Sequence, residues 1–425
     1  MQINYTIPLF LFLSLMQPMC ADTSFSLDSQ EGKKWQFTEA DVQVHDYQEY
    51  SQEQKTSEIW QECEVPGNMS DYLSKAESGK SHEFWLKKVF ELPNRLENKQ
   101  LSIRLGIISD KDKTYLNGEL IGSHGNFSNS KPEFYDKVRV YKVPSHLLRK
   151  GKNVILVHIK GFFTYETGIV QDKTEIGETD QVFTSFATES CLQLLLYAMY
   201  TTSGLYFLFL FLNRKKEKEY LYFALLTFCL SLYQFLRTQL KYELDIELLW
   251  LKKAEYMILA TLVPFYANFI REFLGFRLTL LYKILNVGFT LLAIYFLLET
   301  RIFYFDKVNQ YILQPLWFPY ILSSIYYLVK RLQQGNREPL FIFAGMLFLL
   351  AATLTDIFSN RGFFVMPRTI PTGFACFVFS MALVLARKYV KLNMEIEELN
   401  SNLERKVCER TLELKQALEE VTGLK

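Results

Sequence analysis
The hydrophobic residues of this chain are not spread along it but gathered between Ser190 and Ala386, in runs long enough to cross a lipid bilayer. No other feature constrains the fold as much. A hydrocarbon layer of ~30 Å, divided by the ~1.5 Å rise per helical residue, asks for ~20 mostly apolar residues per crossing. Seven stretches qualify, at 189–212, 219–237, 253–271, 279–298, 309–329, 339–358 and 368–388. The second and third are the most polar, with Gln234, Pro264 and Asn268. Helices are the open solution, because an unpaired backbone group in lipid costs several kcal/mol. The overall composition, 49% hydrophobic and 22% charged, would suit a water-soluble protein, because the polar ends dilute the apolar middle.

Ahead of these runs, Ile7 to Met16 is apolar but too short to span, and Gln17-Pro18-Met19-Cys20-Ala21 closes it with a break and small residues. That pattern predicts a signal peptide over 1–21, cleaved after Ala21, with lipidation of Cys20 as the alternative. An exported N-terminus and seven crossings place the C-terminus in the cytosol of a cell whose inner (plasma) membrane holds the chain. Arg214, Lys215, Lys216, Lys218, Arg271, Arg277, Lys330, Arg331, Arg337, Arg387 and Lys388 fall on the expected inner side, and Lys252-Lys253 run against the bias. A net charge of +1 argues against a nucleic-acid partner. The six cysteines have no metal-ligand or redox spacing, so no cofactor and no metal is expected.

Residues 22–183 read as an all-β domain. Lys34–Phe37, Phe84–Phe90, Leu101–Leu105 and Val154–Ile159 are short, rich in β-formers, and partly alternating. Asn117-Gly118 between Lys113–Leu116 and Glu119–Gly122 predicts a type I′ hairpin, whose two central residues both need positive φ. Residues Ile59-Trp60, Val65-Pro66-Gly67-Asn68-Met69, Phe84–Pro93, Tyr115–Gly122 and Gly151–Val157, in that order, resemble the galactose-binding-like jelly roll. That fold includes the sugar-binding domain of family 2 glycoside hydrolases. The resemblance implies a sandwich that binds a ligand, with carbohydrate the leading class, and no catalysis.

A glycosidase would need two carboxylates flanking the scissile bond. Glu58, Glu62, Glu64, Asp110 and Asp112 are available, but nothing in their spacing demands proximity, and a solvated surface accounts for them. The chain is therefore expected not to be an enzyme. Ligand-binding candidates are His124, Asn126 and Phe127 after the hairpin, and Phe162, Phe163 and Tyr165 after the last long strand, with core packing as the competing reading for the aromatics. Within the spans, Asn268 and Asp356 are candidates for signal relay, as polar groups costly to place in lipid, and so is Pro371. Pro264, Pro315, Pro319 and Pro371 are expected to kink or break their helices.

After Arg387 the chain turns polar. Leu392, Ile396, Leu399, Leu403, Val407, Leu414, Leu418 and Val421 make a narrow apolar seam, so residues 389–425 read as a cytosolic coiled-coil helix and predict a homodimer. The segment 403–414, with Glu409-Arg410-Thr411, resembles the signalling-helix linker of bacterial receptors. Together the jelly roll, the seven-span bundle at 187–388 and the stalk resemble the bacterial seven-transmembrane receptors with diverse intracellular signalling modules. That resemblance implies a membrane sensory receptor relaying an extracytoplasmic signal through Glu409, Arg410 and Thr411 to an output module, either a separate cytosolic signalling enzyme docking on the stalk or a domain of a longer receptor of which this chain is a shortened relative. A membrane carrier, or a passive scaffold whose β-domain captures substrate or partner, is the alternative; membrane lipid is a partner on either account.

Overall fold
The computed structural model describes residues 24–29, 34–50, 59–74, 80–163, 166–334, 339–360 and 369–423. The signal segment, Cys20 and Tyr165 lie outside the described residues. Before residue 179 the chain builds two antiparallel sheets. The strands are Phe25–Ser26 (β1), Trp35–Thr38 (β2), Gln61–Cys63 (β3), His82–Glu91 (β4), Leu101–Ser109 (β5), Lys111–Leu116 (β6), Glu119–His124 (β7), Val138–Val143 (β8), Lys152–Gly161 (β9), Gly168–Gln171 (β10) and Glu175–Glu178 (β11). One sheet runs β3-β2-β4-β9-β6-β7. In the other, β5 is central, with β11 and β10 along one edge and β8 along the other.

The sheets face each other across one apolar core. Trp35, Phe37, Phe84, Leu86, Ile155, Val157 and Ile159 come from the first sheet, and Leu101, Ile103, Leu105, Ile108 and Ile176 from the second. Burying each such side chain stabilises the fold by ~1.5–3 kcal/mol. Trp35 also donates its indole N–H to the Leu27 carbonyl at 2.7 Å. The expected hairpin is present: β6 and β7 flank Asn117 and Gly118, with φ of 49° and 92°. In β5, a bulge at Gly106 resets the alternation, so Leu105 and Ile108 both face the core. Gly106 has φ +68°, and a Cβ there would meet the Gln171 carbonyl oxygen at 2.5 Å.

The helices follow: Thr179–Asn213 (α1), Lys218–Arg237 (α2), Leu248–Phe273 (α3), Leu280–Leu298 (α4), Phe303–Gln333 (α5), Pro339–Asn360 (α6) and Ile370–Gly423 (α7). Among the described residues, five (α1, α2, α4, α5 and α7) are long and apolar enough to cross a membrane. Helix α3 falls short of that standard and carries Lys252, Lys253, Glu255, Arg271 and Glu272. In α6 the apolar stretch found among the described residues is Leu340–Leu349. Of the expected kinks or breaks, no break occurs: each of these prolines lies in a helix that continues past it. Pro371 sits in the first turn of α7, where its missing N–H would have had no partner. Pro264 and Pro319 lie inside continuous helices, and α5 passes Pro315 just after a wide π-turn at Asn309–Leu313 that relaxes the crowding.

Two compact units result. One comprises Met1–Ala198, Cys229–Leu262 and Ile284–Trp317; the other comprises Met199–Phe228, Val263–Lys283 and Phe318–Lys425. The sheets therefore share a unit with segments of α1 to α5.

Candidate functional site
Alternation along β6 and β8 puts charge into the sandwich. Leu116 faces the core, so Thr114 and Asp112 share its side; Tyr141 and Val143 face the core, so Arg139 does too. Arg139 and Asp112, both with side chains 0% exposed, pair across the interior at 2.7 Å. Tyr141 donates its hydroxyl to Asp112 at 2.6 Å, and Thr114 donates to it at 3.0 Å. His124 leans in from β7, its Nδ1 2.8 Å from the Tyr141 hydroxyl. The expectation that Asp110 and Asp112 lie on a solvated surface is thus wrong: both are buried. The strand period carries them inward, and donors on β8 and on the loop before it make the burial tolerable. Glu62 and Glu64 are exposed as expected, and Glu58 lies outside the described residues.

Asp110 and its neighbour Lys111 organise the loop between β7 and β8. Asp110 accepts the backbone N–H groups of Glu133 (3.0 Å) and Phe134 (2.5 Å). The Lys111 ammonium, fully buried, donates to the carbonyls of Asn126 (2.7 Å) and Asn129 (2.9 Å) and to the Glu133 carboxylate (3.0 Å). The loop is thereby wrapped around one cation and one anion.

This anchored loop meets the short helical link Gln239–Glu243 between α2 and α3. Lys241 donates to the Asp136 carboxylate at 2.7 Å, and the Tyr242 hydroxyl donates to its other oxygen. Tyr242 in turn accepts the Asp136 N–H at 3.2 Å. Gln239 bridges the backbone, accepting from the Val138 N–H at 3.0 Å and donating to the Asp136 carbonyl at 3.1 Å. Phe134 packs on Tyr242, and Lys131 reaches Glu247 at 3.1 Å. Beneath, Glu255 joins Lys252 (2.8 Å) and Arg237 (3.2 Å), and the Lys252 ammonium lies 4.4 Å from the centre of the Tyr135 ring. Burial alone would raise the Asp136 pKa, but Lys241, Lys252 and Arg237 hold it well below the usual carboxylate range.

A second junction lies on β5. Arg104, its side chain 2% exposed, grips Asp172 at 2.6 Å and Glu189 of α1 at 2.6 Å. Helix α1 starts at Thr179, one residue after β11 ends, and the Thr179 N–H bonds the Gln100 carbonyl at 2.9 Å. Lys173 on the sandwich also donates to Ser185 of α1 at 3.2 Å.

The sequence-predicted ligand residues separate. Asn126 is exposed, and Phe127 is half-buried against His158 with ring centres 4.9 Å apart; His158 itself stacks on Trp85 at 4.3 Å. Phe162 and Phe163 are buried, Phe163 against Tyr135 and Phe303, so packing accounts for both. Of the relay candidates, Asn268 donates to the Pro264 carbonyl at 2.9 Å within its own helix. The side chain of Asp356, on α6, lies outside the described residues. Arg410 pairs with Glu413 at 3.0 Å, Thr411 donates to the Val407 carbonyl at 2.7 Å, and Glu409 lies 4.0 Å from Arg405, all within α7. Lys252 and Lys253, which ran against the charge bias, are buried; Lys253 donates to the Leu297 carbonyl at 2.8 Å. Sequence reading missed Asp136, Lys241, Arg104 and Arg139. For Arg139 the alternation with Tyr141 and Val143 was a usable signal; for the others no local signal exists.

Two groups here titrate in opposite senses. Burial pushes the Asp110 carboxyl up to about 6, against the N–H groups of Phe134 and Glu133 and the cations Arg139 and Lys111. A raised folded-state pKa means that the bound proton favours the fold: the contribution is full below the ordinary carboxylate value and lost as pH rises through about 6. Burial, aided by Arg139, pulls His124 down to about 4, so its contribution is lost as pH falls from the ordinary histidine value toward 4. The two partly cancel in the wild type. Against Asp110→Asn, the wild type should gain ~2–3 kcal/mol between pH 7 and pH 4, read by chemical denaturation at both values. A pH-independent difference between the two proteins would contradict this assignment.

Residues 189–388 match the family described as 7TM diverse intracellular signalling. No curated protein matches the chain. Among solved structures, a β-glucuronidase of Ruminococcus gnavus is 21% identical over 34% of this chain and 22% of its own, with a TM-score of 0.24. A Ruminococcus gnavus β-glucuronidase in complex with D-glucaro 1,5-lactone is 19% identical over 38% of this chain and 30% of its own, with a TM-score of 0.27. The chain spans less than a third of the length of either.

Proposed function
We propose, from the match of residues 189–388 to the 7TM diverse intracellular signalling family, that the chain is a membrane sensory receptor. Its sandwich takes up an extracytoplasmic ligand, and the helices carry the resulting bias to the α7 stalk in the cytosol, which drives or recruits an output module. The observation that carries this reading is the charged junction between sandwich and helices, with Asp136 on Lys241 and Tyr242, and Arg104 on Glu189. A module that merely captured cargo on a tether would have no need of such fixed contacts. The ligand acts by its differential affinity for two arrangements of this junction. Of the residues named from sequence, Asn126 and Phe127 remain the contact candidates, beside His158 and Trp85, with carbohydrate as the ligand class suited to an aromatic face.

The output surface is the stalk. Ile396, Leu399, Leu403, Val407 and Leu414 are 46–70% exposed along one stripe of α7, the seam that a second copy covers in a parallel coiled coil. Single cysteines at these positions, in full-length protein lacking Cys408 and held in native membrane vesicles, should form interchain disulfides readily, whereas Glu397→Cys and Glu404→Cys should not. Equal crosslinking on and off the seam would sink the dimer. A seam pattern unmoved by a panel of mono- and oligosaccharides would remove carbohydrate as the ligand.

A further inference from the structure
Where α7 becomes the stalk, it is gripped by the turn joining α1 to α2. The Lys388 ammonium pairs with Glu219, a carboxylate 4% exposed, and lies 3.6 Å from Glu217. Arg214 donates to the side-chain oxygen of Asn393, and its guanidinium stands 4.8 Å from the centre of the Tyr389 ring. Lys388 also lies 5.7 Å from the centre of the Phe273 ring.

The phase of these contacts matters. At 3.6 residues per turn, each step along α7 rotates a side chain by about 100°. With Lys388 at zero, Tyr389 and Asn393 fall near 100° and 140°, spanning an arc of about 140°. Leu392, Ile396, Leu399, Leu403, Val407 and Leu414 fall between about 20° and 100° on the same scale, inside that arc. The turn therefore covers, at the base of the stalk, the same side of α7 that carries the apolar seam farther out. Burial agrees: Leu392 is half-buried, whereas Ile396, Leu399 and Leu403 are exposed.

We infer that Arg214 and Glu219 form a clamp that keeps a second copy of α7 off the base of the stalk, so that the dimer seam starts at Ile396 while the clamp is closed and extends to Leu392 when it opens. This rests on the dimeric stalk proposed above and adds a moving boundary to it. The clamp is built from one buried carboxylate, one half-exposed ammonium and one guanidinium, and it holds by charge rather than by apolar packing.

Disulfide trapping in the full chain, in native membrane vesicles, tests it. In the protein lacking Cys408 and otherwise wild type, Leu392→Cys should crosslink several-fold less than Leu399→Cys. Glu219→Gln, or Arg214→Ala, should raise the Leu392→Cys yield about fivefold and leave that of Leu399→Cys unchanged, the shift that ~1 kcal/mol of ion-pair bias would set. The charge exchange Glu219→Lys with Lys388→Glu should restore the low yield, which guards against a fold merely damaged by one substitution. Leu392→Cys trapping as well as Leu399→Cys before any clamp substitution, or unmoved by Glu219→Gln and Arg214→Ala, overturns the clamp alone. Absence of trapping along the whole seam overturns the dimer, and the clamp with it.

Discussion

Asp136→Ala should cost the protein ~3–5 kcal/mol, the usual penalty for removing one partner of a buried ion pair. The loss follows from what is left behind. Lys241, its side chain 2% exposed, would face no carboxylate of its own, with Lys252 and Arg237 close enough to depress the Asp136 pKa and Glu255 already shared between those two. The Tyr242 hydroxyl would lose its carboxylate acceptor as well. Thermal unfolding in nanodiscs should shift down. Hydrogen exchange should rise in 133–139 and 239–247 while the central strands β4 and β9 stay protected. Adding Lys241→Met should recover most of the loss, because an apolar pair of similar size avoids the desolvation cost. The sign with pH is fixed too. A carboxyl held below its ordinary value contributes stability above that value and loses it on acidification, so the gap between wild type and Asp136→Ala should close below about pH 4. A shift of less than ~1 kcal/mol would mean that the contact behaves as an ordinary surface ion pair and does not couple the sandwich to the helices.

Arg139→Met should be nearly as damaging, for a different reason. It leaves the Asp112 carboxylate inside the sandwich with the Tyr141 and Thr114 hydroxyls but without its cation, again at ~3–5 kcal/mol. It also strips the Asp110 carbonyl of the guanidinium N–H that it accepts at 2.5 Å. Denaturation followed by tryptophan fluorescence reports on the sandwich directly, since Trp35, Trp60 and Trp85 all lie within it. Asp112→Asn in the Arg139→Met background should recover a large part of the loss by removing the stranded charge. If Arg139→Met alone melts with the wild type, the interior pair contributes nothing that solvent cannot replace.

The strands, the Asn117-Gly118 turn and the apolar helices were legible because each is written locally, in alternation, in two residues that tolerate positive φ, or in a run of hydrophobic side chains. The buried carboxylates were not read, although β6 carries the clue: once Leu116 is inward, Thr114 and Asp112 must follow. Residues 110–113 read as Asp-Lys-Asp-Lys, which looks solvated, and only the pairing of β6 with β9 and the donors on β8 overrule that appearance. The junction was beyond local reading. Asp136 and Lys241 are 105 residues apart, and nothing in either neighbourhood names the other. Lys252 and Lys253 misled for a related reason: read as free charges they blur the membrane orientation, yet each is occupied by a partner. Of the six ligand candidates, the aromatics that sequence could not place between pocket and core, Phe162 and Phe163, went to the core.

The direct passage from β11 into α1 bears on how force moves through such a chain. A sensor hung on a floppy tether can wobble without its anchor noticing. Here Gly177 and Glu178 still pair with β5, and the next residue is already helical. With no residue of loop between them, the end of β11 and the first turn of α1 are joined directly, so a tilt of that strand cannot occur without displacing the start of the helix.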